Sequence, residues 1–289
     1  MIKEHVKGYL FILPALVVIA VIFFYPLFQN IHYSFLDLSV AGRPFAGFTN
    51  YRIMLRDPVF WVSIKNNALL ILLVPLLVVI ALVFSYLLYG EVKGWKFYRA
   101  TILVPYIISI TAIGLFFSLF FQGRGMLNSL LRAIHLDFLV TDWLGSGVTA
   151  MLSIMFVILW REFGFGTMLF LARLSTVSDE LFDAAEIDGA GWFKKMQFIV
   201  IPELATVIEF YVFIMIVTML SWVFNYVLVM TLGGPSRSTY VTEYYIYMEA
   251  FRMKKMGVAS AVSIVLFLLT GILSFTSFRF RKKLFSEYE

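Results

Sequence analysis

Charged residues that could take part in recognition are concentrated at a few places in this chain. One is the segment Leu181–Ala190, where Asp183, Glu186 and Asp188 surround small alanines. Carboxylates around a small face could contact a partner protein whose backbone or groove approaches closely. A run of charges is more often simply solvated, so the local pattern by itself favours an ordinary exposed loop.

The same segment carries the signals that begin and end helices. Ser178 is suited to the N-cap position, and Asp179 falls in the first turn, where the helix dipole favours anions. Gly189 suits the left-handed residue that ends a helix. We therefore predict a short helix before Gly189, and a second one over Trp192–Val200 that is stopped by Pro202.

A second set of polar residues lies inside long apolar stretches. Arg161 and Glu162 are adjacent there, at a depth where charges are costly and usually face the protein interior or a wet cavity. An internal ion pair, or contacts to a neighbouring helix, would explain them equally well. Adjacent helical residues point about 100° apart, so these two need not pair with each other.

A polar and aromatic cluster follows further along the chain. This cluster could bind a ligand through aromatic faces and through hydrogen bonds to amide or hydroxyl groups. A belt of Tyr and Trp at the lipid headgroups is the alternative. The cluster consists of Ser221, Trp222, Asn225 and Tyr226.

Several kinds of active site are excluded. Cysteine is absent, which removes thiol catalysis and cysteine-based metal sites. No G-x-x-x-x-G-K-[ST] segment occurs, so the usual phosphate loop for ATP hydrolysis is missing. His5, His32 and His135 lack metal-ligand spacing, and no Ser/His/Asp set shares one predicted element. The sequence predicts a protein that is not an enzyme and holds no metal or cofactor of its own.

The composition is that of an integral membrane protein. Hydrophobic residues make up 61% of the 289 residues and charged residues only 14%, whereas a soluble domain has about 25% charged residues. The net charge of +5 lies largely beside apolar segments. Anionic lipid headgroups explain that charge more simply than nucleic acid does, so we expect no nucleic acid partner.

Six apolar stretches are long enough to cross a bilayer, which takes about 20 residues, and they predict an all-α polytopic fold in a single domain over residues 1–289. The predicted spans are Tyr9–Phe28, Asn67–Tyr89, Thr101–Phe121, Val148–Phe170, Leu204–Met230 and Val258–Phe278. The bias of Lys and Arg between the loops is weak. Its strongest element is the basic run from Arg279 to Lys283, which predicts that both termini and the Asp183 loop are cytoplasmic.

The spacing around Asp183 resembles a known motif. D-A-A-x-x-D-G-A followed by x8-I-x-I-P is similar to the EAA loop of binding-protein-dependent ABC importer permeases, with Asp183 in place of the usual Glu and Ile201 in place of Leu. The matching residues are Ala184, Ala185, Asp188, Gly189, Ala190, Ile199 and Pro202. The resemblance implies that residues 172–203 form a coupling loop whose helix docks into a groove of a cytoplasmic ATPase subunit.

Other segments extend the resemblance over nearly the whole chain. Phe45–Asn67 and Gly125–Asn128 look like outer loops of sugar permeases. Thr231–Pro235, T-L-G-G-P, is similar to the Gly-Gly-Pro segment of the first permease in carbohydrate importers of the maltose and glycerol-phosphate type. A tight turn after the fifth span would explain it locally, and a docking surface for an extracellular binding protein is the functional alternative.

The resemblance implies a six-span permease subunit of an ABC carbohydrate importer in a prokaryotic plasma membrane. Its expected partners are a second homologous permease, two ATPase subunits that hold ATP and Mg, an extracellular solute-binding protein and the sugar itself. Closure of the ATPase dimer would pull on the Asp183 loop and switch the cavity between inward- and outward-facing states. In related permeases the region of Ser221–Tyr226 lines that cavity.

Two other classes of function remain to be weighed. An ion-coupled secondary transporter would work without an ATPase, but such folds usually show internal repeats and paired broken helices, and no repeat is detectable here. A non-transporting membrane scaffold has little to support it beyond the loop. The sequence leaves the solute open between neutral sugars, glycerol phosphate and acidic sugars, with Arg161 slightly favouring an anion.

Overall fold

The computed structural model describes residues 2–40, 42–90 and 93–284, with side chains described within residues 11–276. In these ranges the regular structure is helical, and the one extended pairing is an isolated bridge between Leu36 and Phe45. This confirms the all-α prediction. Both chain termini, for which a cytoplasmic location was predicted, lie outside the described residues.

Among the described residues the α-helices vary from one turn to nearly thirty residues in length. In chain order they are α1 (Ile2–Ile19), α2 (Tyr25–Ser34), α3 (Thr49–Arg56), α4 (Pro58–Ile71), α5 (Leu73–Tyr89), α6 (Trp95–Ile107), α7 (Ile110–Phe120), α8 (Met126–Ala133), α9 (Gly147–Leu174), α10 (Asp179–Ile187), α11 (Trp192–Lys195), α12 (Ile201–Ser221), α13 (Phe224–Met230), α14 (Thr242–Tyr247) and α15 (Met256–Leu284). Three π-helical turns separate neighbouring helices, at Ala20–Phe24, Met196–Val200 and Met248–Arg252.

Five continuous helical segments and one bent pair are long and apolar enough to cross a membrane within the described residues. The continuous segments are Phe11–Ser34, Pro58–Tyr89, Gly147–Leu174, Trp192–Ser221 and Met256–Thr276. Counted with the bent pair as one span, they make six, the number predicted, but several boundaries differ. The second segment begins at Pro58 rather than Asn67.

The third predicted span, Thr101–Phe121, is not one straight helix. Helices α6 and α7 are bent by 95° relative to each other. At the bend, Ile108 and Ser109 have ψ angles of 141° and 134°, which are extended values that no helix can continue through.

The fifth predicted span differs in two ways. The prediction that Pro202 ends a short helix is wrong, since the helix runs without a break from Trp192 to Ser221. A π turn precedes the proline and places the Ile201 N–H on the Met196 carbonyl, so that Pro202, which lacks an N–H, falls in the first turn of α12. The helix then stops at Ser221, and α13 begins only at Phe224.

The chain divides into two compact units. The first comprises residues up to Trp61 together with Tyr245–Leu269. Polar side chains tie its loops: Asn50 donates to the Ser34 and Leu36 carbonyls, both at 2.9 Å, and the Tyr245 hydroxyl donates to Asp57 at 2.8 Å. The single domain predicted over residues 1–289 stays a prediction.

The second unit comprises Val62–Tyr244 and the chain from Thr270 onward, and it holds all of the candidate site residues. Helices α5, α6 and α12 pack against α9, and α13 packs against α7. Glycines allow the close approach, as is usual for helices in membranes. A Cβ atom on Gly164 would lie 2.1 Å from the Ile102 carbonyl oxygen, and one on Gly166 would lie 2.5 Å from the Tyr211 ring.

Candidate functional site

Helix α10 is the predicted short helix of the acidic segment. Ser178 occupies the N-cap position but makes no side-chain cap hydrogen bond, and Asp179 lies in the first turn as predicted. At the other end Gly189 has a φ of +75°. The Ala190 N–H donates to the Ala185 carbonyl at 2.8 Å and the Gly189 N–H to the Glu186 carbonyl at 3.0 Å, which is the Schellman pattern of a glycine-ended helix.

Aromatic residues fasten α10 to the end of α5. Phe182 is buried, and its ring centre lies 6.2 Å from that of Tyr86 and 5.1 Å from that of Tyr89. Trp192 covers the other side of Tyr86, with ring centres 5.3 Å apart. The Tyr89 hydroxyl also donates to Asp179 at 2.7 Å. These contacts join α10 and Trp192 to the end of α5.

The opposite face of α10 is open. Asp183, Ala184 and Asp188 are exposed, and Ile187 is exposed by 87%. Glu186 pairs with Lys195 at 2.8 Å, and the hydrogen bond to that lysine holds the pKa of Glu186 below its ordinary value. Acids and apolar side chains are thus displayed together, as on a surface that contacts another protein.

An open pocket of about 490 Å³ borders the first turns of α10. Its wall includes Leu181 and Ala184 of α10, together with Arg173 at the end of α9 and Glu203 at the start of α12. Arg173 and Glu203 form an ion pair with an N–O distance of 3.0 Å. The pocket widens the surface around α10 on which a partner could rest.

Arg161 and Glu162 form a direct ion pair, Nη1 to Oε1, within α9. Their side chains are exposed by 14% and 3%. Arg161 also donates to the Tyr106 carbonyl at 3.0 Å, and its guanidinium lies 4.8 Å from the centre of the Tyr106 ring. The Tyr211 hydroxyl donates to the Glu162 carbonyl at 3.0 Å. The geometry contains an internal ion pair as well as contacts to the neighbouring helices α6 and α12.

The polar and aromatic cluster of the fifth span is divided by the helix interruption. Ser221 ends α12, and Trp222, exposed by 63%, lies in the interruption itself. Asn225 is part-buried in the first turn of α13. Tyr226 is buried, and its hydroxyl approaches Glu162 Oε1 at 3.5 Å. The structure therefore brings Tyr226 together with the Arg161–Glu162 pair.

The Gly-Gly-Pro segment folds as the tight turn expected after the fifth span. The Gly234 N–H donates to the Thr231 carbonyl at 2.9 Å, and Gly233 has a φ of +79°. Thr239 closes the turn by donating to the Gly234 carbonyl at 2.8 Å. Within the part of the chain that is described, no group of His, Asp and Glu side chains could hold a metal ion.

Comparison with known proteins decides what kind of membrane protein this is. The chain is 35% identical over 290 residues to the probable ABC transporter permease protein YurN of Bacillus subtilis, and the alignment covers 97% of each chain. It is 30% identical over 280 residues to the multiple sugar-binding transport system permease protein MsmF of Streptococcus mutans, with 96% and 95% covered.

This chain belongs to the permease subunits of ABC sugar importers. Its fold matches the crystal structure of a bacterial ABC transporter that imports the acidic polysaccharide alginate, with a TM-score of 0.84 at 20% identity over 98% of this chain and 97% of the other. No family model matches the chain. The permease is a transport subunit rather than an enzyme.

Sequence reasoning missed several residues that shape the permease's candidate sites. The aromatic cluster that packs against α10 could not be recognised from the sequence, because its members are distant along the chain. It consists of Phe182, Tyr86, Tyr89 and Trp192. Another group was detectable: two adjacent asparagines, Asn66 and Asn67, interrupt an apolar helix. In a membrane helix such amides usually bind neighbouring segments by hydrogen bonds.

Proposed function

We propose that this permease moves a carbohydrate across the plasma membrane of a prokaryote and is driven through α10 by a separate ATPase. The observation that carries the proposal is that α10 is a short helix with one exposed face of acidic and apolar residues. Its other face is buried through Phe182. Asp183, Ala184, Ala185, Asp188, Gly189 and Ala190 are the coupling residues of the proposal. ATP and Mg would be held by the ATPase subunits.

A continuous helix connects the coupling surface with the sugar pathway. The segment Trp192–Ser221 begins just after α10 and runs for 30 residues, a length of about 45 Å at 1.5 Å per residue. It ends at the interruption where Ser221, Trp222 and Asn225 lie. If closure of the ATPase subunits displaces α10, this helix would therefore transmit the movement to Ser221–Tyr226, the segment that we assign to sugar contact.

The proposed assembly contains this chain, a second homologous permease, two ATPase subunits and an extracellular solute-binding protein. A solved neighbour with a TM-score of 0.81 and 21% identity is an alginate transporter in complex with a substrate-bound periplasmic protein, and we infer an equivalent partner here. In this orientation Asp183 faces the cytoplasm, and Gly234 faces outward as part of the binding-protein surface.

The transported solute is proposed to be an uncharged mono- or oligosaccharide. Relatives are named for lactose uptake and for diacetylchitobiose uptake, and others for sn-glycerol-3-phosphate. In this chain the charge of Arg161 is compensated by Glu162, so the weak preference for an anion that Arg161 suggested in the sequence loses its basis. Ring faces and amide groups at the fifth-span interruption suit a neutral sugar.

Reconstitution with the partner subunits tests the function. The permease, its ATPase and its binding protein are placed in liposomes, and ATP-dependent uptake of labelled lactose, diacetylchitobiose and glycerol 3-phosphate is measured. We expect uptake of a neutral sugar, and Asn225→Ala and Trp222→Ala should reduce uptake more than they reduce assembly with the ATPase. Uptake that follows an ion gradient and needs no ATPase would instead establish the secondary transporter.

A further inference from the structure

The interruption of the fifth span is held by side chains from elsewhere in the chain. Helix ends leave backbone groups without intrahelical partners, and α13 begins in a part-buried position. A Glu243 carboxylate oxygen, Oε2, accepts the Phe224 N–H at 2.9 Å. The same carboxylate also accepts a backbone hydrogen bond from Val223. Glu243 thus caps α13 across a gap of many residues.

Asn67 holds the other side of the interruption. It is exposed by only 2%, and its Nδ2 donates to the Met219 carbonyl, in the last turns of α12, at 2.7 Å. Its Oδ1 accepts both the N–H and the hydroxyl of Thr242, each at 2.8 Å. One amide therefore joins the end of α12 to the residue that precedes Glu243.

The neighbouring Asn66 extends this link to the outer turn. Its Nδ2 donates to the carbonyls of Ser238 and Tyr240, at 2.7 and 2.8 Å. The segment from the Gly-Gly-Pro turn to Glu243 is consequently clamped to α4 by two adjacent amides. Both ends of the interruption are therefore connected by hydrogen bonds to this one segment.

We propose that Glu243 is a positioning residue for sugar transport: together with Asn67 it fixes the direction in which the segment Ser221–Tyr226 presents its side chains. This inference rests on the proposed function, because it assumes that this segment contacts sugar. The segment that carries Glu243 continues directly from the outer turn. Contact of a binding protein with that turn would thus act on the sugar segment through two hydrogen-bonded residues.

The test compares variants of the complete complex in liposomes with its binding protein. Glu243→Leu removes the acceptor at similar size, and Glu243→Gln keeps one carbonyl oxygen at the same length. Glu249→Leu is the matched control, since Glu249 is a buried acid further along the same segment whose described ion pair is with Lys255. The measurements are the sugar concentration at half-maximal uptake, the maximal rate, and the amount of assembled complex.

We expect Glu243→Leu to raise the half-saturating sugar concentration about tenfold, the size of effect that follows from losing a buried acceptor. Glu243→Gln should stay within about twofold of the unchanged protein, because it still accepts a hydrogen bond. Equal shifts in Glu243→Leu and Glu249→Leu, or an unchanged half-saturating concentration in Glu243→Leu, would overturn the proposal.

A second variant covers the case in which Glu243→Leu does not assemble. Asn67→Asp keeps an acceptor for Thr242 and removes the donor to Met219, so it breaks the hydrogen bond to the end of α12. It should raise the half-saturating concentration in the same direction, and no change would count against the proposal. If the unchanged complex takes up none of the tested sugars, the proposed function fails before any variant is compared.

Discussion

Replacement of Gly189 by alanine isolates one physical effect at the coupling surface. The residue ends α10 with a φ of +75°, and no atom lies within 4 Å of the position that a Cβ would take. An added methyl group therefore meets nothing, and the whole cost lies in holding a residue with a Cβ in the left-handed region. Gly191 is the matched control, since its surroundings are equally open while its φ is −71°.

The expected size of the effect follows from that difference. A left-handed conformation costs an L-residue about 1–2 kcal/mol, and about 1 kcal/mol corresponds to about a fivefold change in a local equilibrium. The equilibrium concerned is opening of the last turn of α10, which is closed by the Ala190 N–H to Ala185 and the Gly189 N–H to Glu186.

Hydrogen exchange of the purified complex measures this opening directly. We expect Gly189→Ala to speed exchange of these amides about fivefold, Gly191→Ala to leave it unchanged, and Gly189→Asn, which tolerates the left-handed region, to fall between them. Sugar-stimulated ATPase activity should decline in the same order. Equal exchange in Gly189→Ala and Gly191→Ala would refute the reasoning, because only Gly189 has a left-handed φ.

Four further outcomes follow from the geometry of the sites. Asp183→Lys should reduce ATP-dependent uptake by more than about tenfold while the permease still inserts, since it reverses a charge on the proposed contact; full uptake would show that the acid is only solvated. Arg161→Met should lower the yield of assembled complex for any solute by leaving Glu162 without its cationic partner, and the double change Arg161→Met/Glu162→Gln should recover part of it. Equal yields of the unchanged protein and Arg161→Met would contradict a structural role for this ion pair. A cysteine placed at Gly191 should react with an impermeant maleimide only after the cells are permeabilised, and labelling in intact cells would reverse the orientation. Burial raises the pKa of Glu243 to about 7 from an ordinary value of 4.5, so the folded state keeps a proton that the unfolded state has lost. Thermal unfolding should therefore show stability falling by up to about 3 kcal/mol as pH rises between these values, and an equal slope in Glu243→Gln would exclude this carboxyl as the cause.

Local signals in the sequence were sufficient for the acidic segment. A glycine after a helical run predicts a left-handed residue because only glycine adopts that conformation without strain, and Gly189 has it. The positions of α10 and of the tight turn at Gly233 and Gly234 also follow from the types of residues that are adjacent along the chain. The number of apolar stretches likewise predicts the number of candidate spans, because the thickness of the bilayer sets the length that each span must have.

The interruptions of the helices could not be found in this way. Pro202 carries the usual stop signal, yet a π turn lets the helix pass through it, whereas Pro105 lies within α6 and the 95° bend follows only at Ile108 and Ser109. Whether a helix continues at such points depends on the segments packed against it, and those segments are distant in the sequence.

The sequence by itself determined that this protein has segments able to cross a membrane and where its short exposed helix lies. These properties depend on composition and on neighbours along the chain. Tertiary structure alone decided that Glu243 and Asn67 hold the interruption of the fifth span. The reason is that a buried polar group takes whichever partner the fold brings within hydrogen-bonding distance, and residues that are far apart in sequence give no local sign of that meeting.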